Sequence, residues 1–243
     1  MSKDTTKWYA DWFNTPYYHL LYKNRDASEA KKFMDNLTQH LSLQEDETIM
    51  DLACGKGRHS KYLNDLGYNV TGVDLSENSI NYAKQFENDR LRFDVHDMTQ
   101  KYTEQYNAVF NLFTSFGYFE NEEDNLNTIK AIKANLKEFG FGVIDFLNVD
   151  FVLDNLVATE VKQVEHVEFH IKRYLKDGFI TKEISFTDKG EDYNYTERVK
   201  AVTLKDFEAY FEAAGLTLLE TYGDFNLGKY LPKSSPRLIM IFQ

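Results

Sequence analysis

A single cysteine, Cys54, excludes an internal disulfide and leaves the redox compartment open. Three prolines (Pro16, Pro232, Pro236) give no proline-rich linker, and no internal repeat or low-complexity segment is visible. No run of eighteen apolar residues and no basic leader with an apolar core occur, so neither a membrane span nor a secretory signal is read, and the expected compartment is the cytoplasm. Positive charge is the minority: 28 Lys and Arg against 39 Asp and Glu, a net charge of −11. Phosphate contacts dominate nucleic-acid affinity, and the densest basic stretches, 130–137 and 229–237, are short and interrupted. A nucleic-acid partner is therefore disfavoured. What the chain does have is aromatic mass, 19 Phe and 16 Tyr, and 243 residues, enough for one α/β domain with some decoration.

The most informative segment is Thr48-Ile-Met-Asp-Leu-Ala-Cys-Gly-Lys-Gly-Arg-His59. It reads as an apolar strand carrying an acid, a tight glycine turn and the start of a helix. Glycines let backbone N–H groups approach a ligand, and the helix N-terminus points at it. A second apolar strand, Tyr68 to Asp74, again ends in an acid. Two such βα units describe a nucleoside-binding crevice in an open parallel sheet. A dinucleotide site wants G-x-G-x-x-G, and Ser60 stands at the third glycine position, which argues against a nicotinamide enzyme.

Apolar periodicity extends the pattern. A helix is expected from a capping box at Asp26/Glu29 to about Leu41, then strands at 48–53, 69–74, 91–95, 108–112 and 142–146 with helices between them. The alternation breaks after Asn148. Residues 158–203 read as an antiparallel insertion of three strands, 161–174, 179–187 and 193–202, joined by turns at Asp177-Gly178 and Lys189-Gly190. A helix, 204–214, stopped by Gly215, and two strands near 217–222 and 237–242 complete the chain.

The Asp51-Leu-Ala-Cys-Gly-Lys-Gly57 pattern resembles the D-x-x-x-G-x-G signature of class I S-adenosylmethionine (SAM)-dependent methyltransferases. Further likeness lies in Leu21-Tyr22-Lys-Asn-Arg25-Asp26, Ser115-Phe-Gly-Tyr-Phe119, Ile144-Asp-Phe-Leu-Asn148, Gly223-Asp-Phe225 and Ser235-Pro-Arg-Leu-Ile239, which are similar to a bacterial small-molecule-type subgroup. The resemblance covers nearly the whole chain. It implies one domain over 1–243: an α/β, Rossmann-like, doubly wound seven-stranded sheet of order 3-2-1-4-5-7-6 with strand seven antiparallel, plus the β insertion. It implies SAM as cofactor and S-adenosylhomocysteine as product. Asp51, Ala53, Gly55 and Gly57 would line the methionine end, with Phe113 bringing backbone near it. Asp74 and Leu75 would hold ribose and adenine, and Asp97 with Met98 the adenine amine. Asp97 also fits a simple turn cap.

Methyl transfer from a sulfonium needs alignment of the acceptor and exclusion of water, and a base only where the acceptor holds a proton. The substrate site is accordingly less legible. The aromatic lead, 1–25, is read as a lid or as an anchor for a terminal helix, with Tyr18, Tyr22 and Arg25 toward the cofactor and Tyr17 toward substrate. Tyr118, Asn148, Arg173 and Tyr195 are further substrate candidates, and His19 and Tyr118 are the candidates for a catalytic base. His166 and His170, four apart on one expected strand, read as a solvated face. No metal site is expected, and Asp145 and Asn148 lack a third acid for one. Cys54 reads as a small packing residue. The expected function is methyl transfer to a small molecule, with a homodimer through the insertion. The alternatives are a nucleic-acid or protein methyltransferase, and a non-catalytic SAM-binding or partner-binding module.

Overall fold

Strands whose residues are apolar on both faces must be covered on both, and this chain has four in its centre. In the computed structural model, which describes residues 12–23 and 27–243, β1 (Thr48–Leu52), β2 (Asn69–Asp74), β4 (Tyr106–Asn111) and β11 (Arg237–Phe242) are buried along nearly their whole length. With β3 (Leu91–Val95), β5 (Leu136–Leu147) and β10 (Leu218–Tyr222) they form one sheet of order β10-β11-β5-β4-β1-β2-β3. β1, β2, β3, β4 and β5 pair in parallel, while β11 runs antiparallel to both β5 and β10. This is the expected seven-stranded order. Because β1 lies between β2 and β4, the strand order reverses beside it, where an open α/β sheet offers its ligand crevice.

The helices of this sheet are α2 (Ala27–His40), α3 (Arg58–Asp65), α4 (Glu77–Ala83), α5 (Glu122–Asn135) and α7 (Leu204–Ala214). Phe33, Met34 and Leu37 of α2 are fully buried and join the core of Ile49, Val70, Phe93 and Phe110. Asp26 lies outside the described residues. Ser76 caps α4 as expected, its hydroxyl accepting from Ser79 N at 3.1 Å. Gly215 ends α7 with φ +68°, the conformation for which glycine is the usual C-cap. The start of α7, for which no cap is expected above, is fixed by a capping box of Thr203 and Asp206.

Chain segments 12–23 and Val152–Ala201 form a separate compact unit. Here the strands alternate: in β7 (Val167–Lys176) Val167, Phe169 and Ile171 are buried between exposed Glu168, His170 and Lys172. Such a sheet is covered on one face only. The covering element is the aromatic lead. Trp12, together with Leu21 of α1 (Pro16–Leu21), packs with Val167, Phe169, Ile184 and Phe186. The insertion has four strands and not three: β6 (Thr159–Val164), β7, β8 (Phe179–Asp188) and β9 (Glu191–Lys200), in sequential antiparallel order. The expected strand 161–174 is broken by a two-residue turn at Glu165-His166 with Glu165 left-handed at φ +53°. His166 therefore sits in a turn and does not share a strand face with His170. Two further boundaries differ. β5 begins at Leu136 directly after α5, and a short helix α6 (Val149–Asp154) follows it.

Gly142 of β5 faces Phe242 of β11, and a β-carbon there would lie 2.2 Å from the Phe242 ring. Gly142→Ala is expected to destabilise the protein by about 1–3 kcal/mol, the usual range for an overpacked core. Urea unfolding checks this, and Phe242→Leu in the same chain should return part of the loss.

Candidate active site

Three left-handed residues shape the turn after β1: Ala53 (φ +66°), Gly55 (+55°) and Gly57 (+75°). At Gly57 a β-carbon would lie 2.5 Å from the Phe93 ring, so the helix α3 can start here only from glycine. At Gly55 a β-carbon would meet nothing within 4 Å; the turn opens to space there. Ser60, at the third glycine position, is buried and has a use of its own. Its hydroxyl donates to Asp51 Oδ2 at 2.5 Å. Burial pushes the Asp51 carboxyl up to about 6, with the negative Asp74 adding to the shift and the Ser60 hydrogen bond opposing it. The Cys54 thiol, buried in the same turn, is also pushed up by desolvation and stays protonated and inert.

Asp74 at the end of β2 fastens this turn. Its Oδ2 accepts from Gly55 N at 2.9 Å and its Oδ1 from Ser76 N at 2.8 Å. Burial raises its carboxyl too, and these two amides hold it down in part. An ionised carboxylate has about four acceptor positions, so each oxygen keeps one for a ligand. Leu75 beside it is 38 % exposed, a large apolar side chain at the mouth. Asp97, after β3, caps its own turn: Oδ1 takes Thr99 N at 3.0 Å and Thr99 Oγ1 at 2.8 Å. Met98 stands next in that turn, half-buried.

On the other side of β1, Asn111 at the end of β4 donates to Leu52 O at 3.0 Å and joins the two strand ends. Phe113 (φ +58°) and Thr114 (+62°) follow, both left-handed without being glycine. Such residues cost about 1–3 kcal/mol each and persist only when held. Asp145 holds these: Oδ2 accepts from Phe113 N at 2.7 Å and its backbone carbonyl from Thr114 N at 3.0 Å. Arg237 completes the arrangement, donating from Nε to Asp145 Oδ1 at 2.8 Å and from Nη2 to Thr114 Oγ1 at 2.9 Å. The Phe113 ring stacks on His59 of α3 at 4.4 Å between centroids, and Tyr118 donates to Thr114 O at 2.6 Å. Neither Phe113 nor Thr114 is a residue type whose sequence marks a left-handed turn. The tail motif around Arg237 was the one sequence signal, and nothing in it named Asp145 as its partner.

The remaining candidates have partners of their own. Asn148, read as a substrate contact, is buried; its amide donates to Pro232 O and Ser235 O, both at 2.8 Å, and accepts from Tyr230, which ties down the loop before β11. In the separate unit, Tyr17 donates to Asp188 at 2.8 Å, Tyr18 packs against Trp12, Phe13 and Tyr22, and His19 lies edge-on to Tyr18. Tyr22 donates to Glu197, which also accepts from Trp12 Nε1 at 2.7 Å, and Lys182 donates to Tyr22. These bonds anchor α1 to the small sheet. Arg173 pairs with Glu160 at 2.6 Å, and Tyr195 stacks on Trp12 and helps line a groove of 590 Å³ with His170, Lys172 and Glu183. Arg25 lies outside the described residues.

A turn open at Gly55, flanked by acids on two consecutive strand ends, fits a nucleoside carrying a positively charged arm better than it fits a pyrophosphate. The comparisons with known proteins agree. Residues 25–221 match the family described as "Methyltransferase domain". The glycine/sarcosine N-methyltransferase of Aphanothece halophytica is 27% identical over 217 residues, 83% of this chain and 76% of that protein. The dTDP-3-amino-3,4,6-trideoxy-alpha-D-glucopyranose N,N-dimethyltransferase of Streptomyces venezuelae is 25% identical over 82% of this chain and 88% of its own length. A SAM-dependent methyltransferase from Clostridium acetobutylicum shares the fold with a TM-score of 0.79 at 20% identity, over 93% of this chain and 95% of that one. The fold and site define the class I, Rossmann-like group. The chain belongs to the methyltransferase-domain family and is a SAM-dependent methyltransferase.

The raised Asp51 gives a pH signature. Between about pH 4 and 6 the native state holds a proton that the unfolded chain has released, so the Asp51 contribution to stability falls as pH rises through this window. A shift of about two units is on the order of 3 kcal/mol. Asp51→Asn should therefore gain on the ligand-free wild type from pH 4 to 6 and keep that lead at pH 7, measured by urea unfolding. A difference independent of pH would contradict this.

Proposed function

We propose that the chain transfers a methyl group from SAM to an amine nitrogen of a small polar molecule. The observation that carries the cofactor half is the open glycine turn between Asp51 and Asp74, on consecutive parallel strands. The acceptor half is supported by the relatives named above, both N-methyltransferases of small molecules.

When bound, SAM supplies an electrophilic methyl on a good leaving group. In this reading Asp74 takes the ribose hydroxyls with its two remaining acceptor positions, and Leu75 covers the adenine. Asp97 and the Met98 backbone meet the adenine amine. Ala53, Gly55 and Gly57 present backbone to the methionine arm, with Phe113 at its far end. The buried Asp51 offsets the positive charge of that arm, and the ligand in turn stabilises the carboxylate that burial disfavours. An amine attacks only when neutral, so a base or a pH above its own pKa is needed. Tyr118, whose hydroxyl donates to Thr114 O beside the Phe113–Thr114 turn, is the proposed contact for the acceptor.

Calorimetric titration of S-adenosylhomocysteine is expected to show micromolar binding that Asp74→Ala weakens by about 1–3 kcal/mol, the cost of stranding hydrogen-bonded groups. A screen of glycine, sarcosine and amino-sugar acceptors should then release S-adenosylhomocysteine from SAM with at least one amine. Well-folded protein that binds neither ligand would sink the reading, and turnover confined to hydroxyl acceptors would sink its amine half.

A further inference from the structure

The turn after β4 is built in a way that chain connectivity alone does not maintain. Phe113 and Thr114 are consecutive left-handed residues with full side chains, and Thr114 is β-branched, which makes that conformation especially unfavourable. Left alone they would relax toward the ordinary right-handed or extended regions. Asp145 and Arg237 close every route. The fully buried carboxylate accepts from the Phe113 amide, the Asp145 carbonyl accepts from the Thr114 amide, and the guanidinium bridges Asp145 to the Thr114 hydroxyl. The planar guanidinium reaches two acceptors at fixed angles, which a lysine ammonium does not reproduce. Phe225, 5.5 Å below the guanidinium, and Phe113, 5.6 Å from Phe225, extend the arrangement to the His59 ring on the cofactor-turn helix.

Topology says what this serves. β1 stands between β2 and β4, so a ligand laid across the end of β1 with its ribose at Asp74 reaches the Phe113–Thr114 turn with its opposite end. We propose that Arg237 and Asp145 are positioning residues for the amino-acid arm of the cofactor, holding the Phe113–Thr114 turn in the left-handed form that receives it. This rests on the placement of SAM proposed above. The ion pair touches the cofactor only through the turn.

The test is calorimetry with two ligands, S-adenosylhomocysteine and methylthioadenosine, which has the nucleoside but no amino-acid arm. It is run at a temperature where circular dichroism shows each variant folded. Arg237→Lys is expected to weaken S-adenosylhomocysteine about tenfold while methylthioadenosine changes by less than about twofold. Adding Thr114→Gly, whose residue enters the left-handed region freely, should recover at least about half of that loss on a logarithmic scale. A merely structural role would lower the melting temperature and weaken both ligands alike, with no rescue by glycine. If Arg237→Lys does not fold, Thr114→Val keeps the ion pair and removes only the hydroxyl; it should weaken S-adenosylhomocysteine about threefold and leave methylthioadenosine unchanged. Wild-type affinity in a folded Arg237→Lys or Thr114→Val protein, equal losses for both ligands, or a double variant no better than the single would each overturn the proposal. Wild-type protein that binds neither ligand would instead overturn the cofactor placement.

Discussion

Carboxylates at strand ends, each accepting from the turn beside it, hold the ligand edge of the large sheet in shape. Asp74 takes the Gly55 and Ser76 amides, Asp51 takes the Ser60 hydroxyl, and Asp145 takes the Phe113 amide and the Arg237 guanidinium. Without these bonds the turns after β1 and β4 would have little to keep five left-handed residues in place. The same three acids are raised by desolvation, so the edge concentrates negative charge where water is scarce. Among the described residues, Asp145 alone of the three has a cation paired with it, Arg237. The charge around Asp51 and Asp74 is a standing cost of the ligand-free protein, which the positive charge of SAM would offset in the proposed placement. Stability given up at a site and returned on binding is a common pattern in enzymes.

This arrangement also accounts for the divergence from a dinucleotide site. A third glycine in such a site allows close helix–strand packing. Here Ser60 fills the position, and Gly72 supplies the room: a β-carbon at Gly72 would lie 2.8 Å from Ser60 Oγ and 2.6 Å from the Phe93 ring. The serine turns the packing position into a donor for Asp51. A pyrophosphate would be repelled by the acid that the serine satisfies.

Much of the fold and the first half of the site were legible because their signals are local. The glycine turn, the acids closing β1 and β2, the cap at Ser76 and the stop at Gly215 are short patterns with one geometric meaning each. The hairpin turns Asp177-Gly178 and Lys189-Gly190 were visible for the same reason, and all four residues are left-handed. The turn at Glu165-His166 contains no glycine, so a continuous run of apolar alternation hid it. α6 is six residues long and gives no period to read. Asp145 and Arg237 are 92 positions apart, and the residues they hold, Phe113 and Thr114, carry side chains that argue against the backbone they adopt. Tertiary contacts decide such positions, and a single sequence does not print them. Asn148 shows the converse: a polar residue just after a strand end drew a functional reading, yet both its amide hydrogens and one acceptor position of its oxygen go to the loop before β11.

The most direct measurement is a crystal structure of the protein with S-adenosylhomocysteine. The expected result is a ribose bonded through its hydroxyls to both oxygens of Asp74, with the homocysteine arm crossing Gly55 toward Phe113 and the turns after β1 and β4 unchanged. S-adenosylhomocysteine bound away from the end of β1, or bound there with Asp74 still contacting only Gly55 and Ser76, would contradict the account.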